Sequence, residues 1–309
     1  MPSISIEGIA IQGLGCTTSV GKSVAFKVLL TEHLSPFGSA LLRGFEAHSM
    51  SVVGVDDPDD LSRQVDVHKP AIIINPPSLG ADLDQQDLAA QAHKLFELSR
   101  LNESVLIHFS SHHVFGAGQY GAGLVEKDLP LPEDVYGREL LAQEEIIARW
   151  EKAAVVRLPW VLDLPGGILE SMCHTMLYES ECVVSDVWRG SPIFIEDAVR
   201  LALAMAQQIL CGAGNWGCFH LHSSDSCSEA ELADHIARLL HKQGYEVGAI
   251  ALAAVEQRFI SSNGWLKGQR CTNNFGFQYR SWRQGIKARV LDWLEAEIKA
   301  GRLAPAVSS

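Results

Sequence analysis

Tyr136 and Leu140 stand four residues apart in a stretch that can open a helix. On a helix these two positions share one face, one turn apart. A tyrosine placed in this way can give its proton to a carbonyl that receives hydride, if a lysine at the second position stabilises the tyrosinate. A unit charge at about 4 Å, with an effective dielectric constant of about 20, is worth roughly 4 kcal/mol, or on the order of a thousandfold in rate. Leu140 carries no charge, so the first question is whether Tyr136 does chemistry at all.

A strand-helix-strand pattern near the N-terminus predicts the platform for such chemistry. Residues 26–31 form a compact apolar run, and residues 38–46 carry apolar side chains at helical spacing. A second strand is predicted over Ser51–Val55, and Asp56 follows it. This order is typical of a dinucleotide-binding fold, in which glycines in the first turn let the backbone approach a pyrophosphate.

The first turn keeps only one glycine of the pattern G-x-x-G-x-x-G. Gly38 matches the last glycine, whereas Glu32 and Ser35 occupy the first two positions. A carboxylate at position 32 would repel a pyrophosphate in a confined site. Asp56 stands where an acid usually accepts a ribose 2′-hydroxyl, which favours NAD over NADP; a solvated acidic loop through Asp60 is the alternative. The sequence therefore predicts either no cofactor or NAD(P).

Two further buried strands are predicted over residues 70–77 and 104–115, with an amphipathic helix over residues 87–101 between them. The polar residues toward their carboxyl ends are Asn75, Ser111, His112 and His113. Open α/β sheets bind their ligands at this edge. The alternation of strands and helices predicts an α/β fold built on a doubly wound parallel sheet.

Short strings follow one another along the chain: the turn at 31–38, Asn75, Ser111 to Phe115, Glu126 with Asp128 and Pro130, Tyr136-Gly137-Arg138 with Glu144, Arg157 to Val161, Gly190-Ser191-Pro192 with Asp197, and Gly217 to Leu221. Their order resembles the dTDP-4-dehydrorhamnose reductase family of extended short-chain dehydrogenases/reductases, whose strings include S-T-D-Y-V-F, E-x-D-x-P and Y-G-x-x-K-x-x-x-E. The resemblance covers residues 26 to 295. It implies a Rossmann-like sheet with a smaller, discontinuous C-terminal substrate lobe.

The resemblance implies a role for each matched position. Ser111 corresponds to the family's catalytic hydroxyl and Tyr136 to its proton donor, while Leu140 replaces its lysine. The implied cofactor positions are Gly38, Asp56 and Asn75, weakened by Glu32 and Ser35. The implied substrate positions are His112, His113, Trp160, Trp188, Arg270 and Arg280. His112 and His113 replace the family's Asp-Tyr, and Trp160 matches an aromatic residue that lies against the sugar. Altered catalytic and cofactor positions on a kept scaffold are the pattern expected after hydride chemistry has been lost.

A group of cations lies late in this acidic chain: Arg258, Lys267, Arg270, Arg280, Arg283, Lys287 and Arg289. They are candidates to bind the diphosphate of a nucleotide sugar, because the planar fork of a guanidinium suits phosphate oxygens. A solvated helix face is the alternative for the last of them.

The predicted domain boundaries follow the same comparison. Residues 1–24 are expected to form a flexible N-terminal extension, residues 25–160 a dinucleotide-binding-like domain, residues 161–300 the substrate lobe with returning elements of the sheet, and residues 301–309 a loose tail. The extension contains a glycine-rich stretch, but Cys16 stands where a phosphate loop needs its first glycine.

Three histidines, His108, His112 and His113, could suggest a metal site. Residues four apart on a strand are about 13 Å apart, which is too far to share one ion. We therefore predict no metal. These histidines are expected to line the cleft as hydrogen-bonding groups, or to supply a proton in place of a weakened tyrosine.

Composition excludes several classes of partner. The net charge of −12, from 25 basic and 37 acidic residues, argues against nucleic acid and against an anionic membrane surface. The seven cysteines include no C-x-x-C pair and predict reduced thiols in a cytoplasmic protein. No apolar run approaches the ~20 residues of a membrane span.

Two functions compete at this point. The first is a reductase-like protein with little or no hydride transfer, which binds a nucleotide sugar or regulates a partner protein, since a regulatory subunit of another enzyme resembles these reductases. The second is an active NAD(P)-dependent reductase of a 4-keto nucleotide sugar, using Ser111 and Tyr136. Assembly as a homo-oligomer is compatible with both.

Overall fold

A six-stranded parallel sheet forms the centre of the computed structural model, which describes residues 27–77, 88–116, 123–252 and 263–306. Its strands are β1 (Lys27–Thr31), β2 (Ser51–Val55), β3 (Ile72–Asn75), β4 (Val105–Ser111), β5 (Ala153–Leu158) and β8 (Gly217–His220). They pair in the order β2-β1-β3-β4-β5-β8. The inner strands are almost continuously apolar because helices cover both faces of the sheet.

The helices are α1 (Pro36–Ala47), α2 (Leu61–His68), α3 (Leu88–Asn102), α4 (Val135–Ile147), α5 (Ile168–Tyr178), α6 (Ile195–Leu210), α7 (Glu229–Lys242), α8 (Arg270–Phe275) and α9 (Trp282–Lys299). The shorter strands are β6 (Glu181–Val184), β7 (Arg189–Gly190), β9 (Cys227–Ser228) and β10 (Ala249–Leu252). β6 pairs with β10 in parallel, and β7 pairs with β9 in antiparallel orientation. Among the described helices, none is both long and apolar enough to cross a bilayer.

Two layers of helices enclose the sheet. α1 and α6 pack on one face, where Phe45 and Ala202 belong to the same buried cluster. α2, α3 and α4 cover the other face, with Val65, Leu95 and Ile147 in its core. The predicted doubly wound parallel sheet is thus confirmed.

A second buried cluster lies in the C-terminal half, between α5, α7, α9 and β6. α6, β8 and α8 do not join this cluster but return to the main sheet or its covering layer. The C-terminal half is therefore a smaller, discontinuous lobe, as the sequence predicts.

Three details differ from the sequence-based expectations or extend them. The strand predicted over residues 104–115 ends at Ser111, and a 3-10 turn follows over His112–Val114. The tail expected to be loose after Gly301 is held by two bonds, in which Tyr178 donates to the Arg302 carbonyl and Tyr245 to the Ala304 carbonyl, at 2.9 and 3.1 Å. The proposed extension over residues 1–24 and Arg258 lie outside the described residues.

Candidate functional site

The sheet changes its winding direction at β1, which pairs with β2 on one side and with β3 on the other. Doubly wound sheets bind their ligands at such a switch point, beyond the carboxyl ends of the strands. The turn from β1 into α1 lies at this point. Its backbone has the shape of a glycine-rich turn, because Glu32 adopts a φ of 50°, in the left-handed region that favours glycine.

Gly38 fits its predicted place in this turn. A Cβ atom on Gly38 would lie 2.0 Å from the Glu32 carbonyl oxygen, so only glycine allows α1 to start this close to β1. Ser35 caps the helix, since its Oγ accepts a hydrogen bond of 3.0 Å from the Gly38 amide. The serine therefore takes up a helix N-terminal donor that an anion could otherwise use.

The Glu32 side chain turns toward α3, where its carboxyl group accepts a hydrogen bond of 3.0 Å from Gln91 Nε2. Burial raises the pKa of Glu32 above its ordinary value of 4.5. The bond from Gln91 opposes this effect, and the nearby Asp56 carboxylate adds to it. The position of the family's first glycine is thus filled by an acid with a raised pKa.

We expect the Glu32→Gln variant to be more stable than the wild type at neutral pH and equally stable in acid. The pKa of Glu32 is higher in the folded state than the ordinary value of 4.5 expected in the unfolded state. The folded state therefore loses stability as the pH rises from 4.5 through the pKa of the folded state. Urea unfolding between pH 4 and 8 measures the difference. Glu97→Gln, which removes an exposed carboxylate from α3, is the control and should show no such trend. A difference that is constant with pH would contradict the raised pKa.

A pocket of about 560 Å³ opens beside this turn. Its apolar wall comes from Val55, Leu61 and Leu95, and Asp56 and Asp57 lie at its edge. Asp56 is at the end of β2, as predicted, and its Oδ1 accepts a hydrogen bond of 2.9 Å from the Leu34 amide. The pocket has the place and the size of a nucleoside site in a fold of this kind.

The residues of the first turn do not fit the pyrophosphate of a dinucleotide. The carboxyl group of Glu32 occupies the glycine position, and Ser35 places a side chain where backbone alone would approach a phosphate. Asn75 lies inside the sheet and is not exposed at all. Its Oδ1 accepts from Thr31 Oγ1 at 2.7 Å and its Nδ2 donates to His108 Nδ1 at 3.0 Å, so its predicted role toward a cofactor stays a prediction.

Tyr136 lies in the first turn of α4, where the structure brings it close to the residues after β4. Asp134 caps the helix by accepting a hydrogen bond of 2.6 Å from the Gly137 amide. A Cβ atom on Gly137 would lie 2.2 Å from the His113 carbonyl oxygen, so this glycine permits the close approach. The His113 and Tyr136 rings are 5.1 Å apart. The predicted pair of Ser111 and Tyr136 therefore lies on adjoining elements.

The lysine position is filled by an apolar cluster. Leu140 is only 1% exposed and packs with the buried side chains of Val114, Phe115, Leu124 and Leu266, and Tyr136 packs against the same cluster. Burial raises the pKa of Tyr136 above its ordinary value of 10.0, and the Asp134 carboxylate adds to this effect. Both influences favour the neutral phenol, which is the opposite of what a lysine would do.

Ser111 and the two histidines after it form the other side of this region. Ser111 Oγ lies 3.3 Å from His112 Nδ1, which is also 3.3 Å from the Leu158 carbonyl oxygen. The rings of His112 and His113 are 4.4 Å apart. Burial lowers the pKa of both histidines, so both are neutral at neutral pH. Neutral histidines are poor sources of a proton, and their predicted role as hydrogen-bonding groups toward a ligand stays a prediction.

The two predicted tryptophans are buried. The Trp160 ring is 2% exposed and lies between the backbones of Gly190 and Gly264, where added Cβ atoms would come within 2.3 and 2.4 Å of it. Trp188 is 7% exposed and belongs to the core of the C-terminal lobe. The predicted contact of each tryptophan with a sugar stays a prediction. In the structure both rings are packed in the core.

Four of the predicted phosphate-binding cations, all arginines, already have protein partners. Arg270 donates to the carbonyl oxygens of Cys218 and Trp216 at 2.6 and 2.9 Å and stacks on Phe219. Arg280 pairs with Glu196 at 3.1 Å. Arg283 pairs with Asp225, and Arg289 with Asp163 and Glu196. These contacts favour the alternative of a solvated, charge-paired surface.

Sequence patterns did not indicate the roles of three residues that shape the region. Gln91 was only one polar position of an amphipathic helix, because its bond to Glu32 depends on where the fold places α3 relative to the turn after β1. Arg157 and Glu144 matched family strings without a role, and the structure shows that they form a buried ion pair between β5 and α4. One signal was available in the sequence: Arg157 is the only charged residue of an apolar strand, so it needs a buried partner of opposite charge. Glu144, on the buried face of α4, is that partner.

A curated protein is similar to part of this chain. Methionine adenosyltransferase 2 subunit beta of Danio rerio is 28% identical over 141 residues, which is 43% of this chain and 43% of that protein. The matched part is thus less than half the length of this relative.

Two solved dTDP-4-dehydrorhamnose reductases share the fold. The Clostridium acetobutylicum structure has a TM-score of 0.75 at 18% identity, over 87% of this chain and 100% of that one. The Bacillus anthracis structure, in complex with NADP, has a TM-score of 0.72 at 19% identity, over 86% and 99%. The family model of the RmlD substrate binding domain matches residues 27–294. Because this match spans most of the chain, the protein belongs to the RmlD substrate binding domain family.

Proposed function

We propose that this protein is a sugar-nucleotide-binding or regulatory member of its family with little or no hydride-transfer activity. The observation that carries the proposal is the apolar cluster around Leu140, which is 1% exposed at the position of the catalytic lysine. A tyrosine that must give up a proton needs a nearby cation, worth roughly 4 kcal/mol at about 4 Å. Tyr136 instead lies against leucine and beside Asp134, and its pKa is raised.

The turn at the switch point supports the same proposal independently. Glu32 and Ser35 replace two glycines of the dinucleotide-binding pattern, and both side chains are fixed by protein hydrogen bonds. Loss of the cation and loss of the phosphate turn each weaken a different step of the same reaction. The relative from Danio rerio, whose name makes it the beta subunit of methionine adenosyltransferase 2, supports the regulatory side of the proposal.

Isothermal titration calorimetry of the purified protein with NADH and NADPH, at concentrations up to about a millimolar, tests this proposal. A matched assay follows oxidation of NADPH in the presence of dTDP-4-dehydrorhamnose. We expect no heat in the micromolar range and no oxidation that depends on the keto-sugar. Micromolar binding together with turnover would replace the proposal by the active reductase. A chain with Glu32→Gly and Leu140→Lys then shows whether the rest of the site could still support the reaction.

A further inference from the structure

The pocket beside β1 and β2 keeps the walls of a nucleoside site but has the wrong charge for phosphate. We propose that this pocket binds a nucleoside without phosphate groups, either neutral or cationic, in place of a dinucleotide. The inference rests on the proposed function in one respect, namely that the pocket no longer serves a hydride donor. Three steps support it: the charge of the lining, an acceptor without a donor, and the retained acidic end of β2.

The charged residues of the lining are mostly acidic. Glu32, Asp56 and Asp57 all line the pocket, and Lys94 is the single lysine or arginine in the same lining. The ammonium group of Lys94 donates to the Pro58 carbonyl oxygen, so it is already in use. A phosphate entering this space would meet carboxylates at short range, whereas a neutral or positively charged ligand would not.

Gln91 supplies a specific acceptor. Its Nε2 donates to Glu32, and its Oε1 is buried with no hydrogen-bond donor among the described residues. A buried acceptor without a donor destabilises the protein until a donor reaches it. The N–H groups of a base or the hydroxyls of a ribose are donors of the right kind, and a phosphate at neutral pH offers mainly acceptors.

Asp56 supplies the second anchor. A carboxylate has about four acceptor positions, and Asp56 uses one for the Leu34 amide and approaches His33 Nδ1 at 2.8 Å with its other oxygen. Positions remain for the two hydroxyls of a ribose. The apolar side chains of Val55, Leu61 and Leu95 complete a surface on which a flat base can lie. The pocket therefore offers each part of a nucleoside a partner, whereas its three carboxylates disfavour a phosphate.

Calorimetric titration of the full chain with adenosine, AMP and NADH tests this inference. We expect adenosine to bind with a submillimolar dissociation constant and AMP to bind at least tenfold more weakly. The Ala90→Trp variant, which places an indole at the rim of the pocket, should weaken adenosine at least tenfold. Binding of AMP as tightly as adenosine, no heat with adenosine at 5 mM, or unchanged adenosine binding by Ala90→Trp would each overturn the inference.

The Glu32→Gln variant isolates the charge. It should strengthen AMP binding about tenfold and change adenosine binding less than about threefold, whereas Glu97→Gln on the exposed face of α3 should change neither. Equal effects of the two variants on AMP would overturn the role of Glu32. Reduction of the keto-sugar, in contrast, would overturn the proposed function without changing the measured binding of adenosine relative to AMP. The two failures are therefore distinguishable.

Discussion

The Arg157→Met variant is expected to have a free energy of unfolding about 3–5 kcal/mol lower than that of the wild type. Arg157 donates through Nε and Nη2 to both carboxylate oxygens of Glu144, at 2.7 to 3.1 Å. The two side chains are only 6% and 7% exposed. Removing the guanidinium leaves the Glu144 carboxylate buried without its partner, and the desolvation of that charge is then uncompensated. Urea unfolding followed by circular dichroism measures the loss.

The comparison that separates charge from packing is the double variant Arg157→Met with Glu144→Leu. Apolar replacement of a whole buried pair is often neutral, so the double variant should recover most of the stability. Arg100→Met is the control, because it breaks the exposed pair with Glu97 and should cost less than about 1 kcal/mol. A loss of under about 1 kcal/mol in Arg157→Met would show that the buried pair is not required.

The Leu140→Lys variant is expected to be destabilised by about 2–4 kcal/mol at neutral pH and to gain no reductase activity. The new ammonium group would lie in the cluster of Val114, Phe115, Leu124 and Leu266, where burial lowers the pKa of a lysine. A lowered pKa in the folded state means that the variant regains stability as the pH rises toward the ordinary lysine value of about 10.4. Denaturant unfolding at several pH values measures this trend.

Leu140→Met keeps an apolar side chain of similar volume and should cost less than about 1.5 kcal/mol. If Leu140→Lys instead folds with wild-type stability and reduces dTDP-4-dehydrorhamnose with NADPH, then the space around Tyr136 still accommodates a lysine. That outcome would favour a reductase with a recently altered site over a binding protein. Both variants should be assayed at the same protein concentration and pH as the wild type.

Regular elements could be predicted from local patterns where a cap fixes their ends. α7 runs from Glu229 to Lys242, and the S-x-x-E spacing of Ser228 and Glu231 forms a capping box at its start. The prediction was wrong after Ser111, where apolar residues continue beyond the strand. The Ser111 side chain accepts from the His113 amide and starts a 3-10 turn, and a strand pattern does not reveal such a cap.

The candidate site could be predicted where a single residue replaces a family residue. Leu140 and Glu32 were visible in this way from sequence alone. The contacts that hold the predicted ligand-binding residues were not visible, because the partner residues are distant along the chain. Arg270 is held by carbonyl oxygens more than 50 residues away, at Cys218 and Trp216, and no local pattern encodes such a contact.

The position of Trp160 also limits how the two halves of the molecule can move. The residue lies two positions after the end of β5, and its ring is enclosed by Gly190 and Gly264 in the C-terminal lobe. A hinge motion at this connection would withdraw a large aromatic ring, of 150–250 Å² in general, from contact with both glycines and expose it to water. We therefore expect the sheet and the lobe to move together as one rigid unit, so a ligand reaches the cleft through rearrangement of loops and not through domain opening.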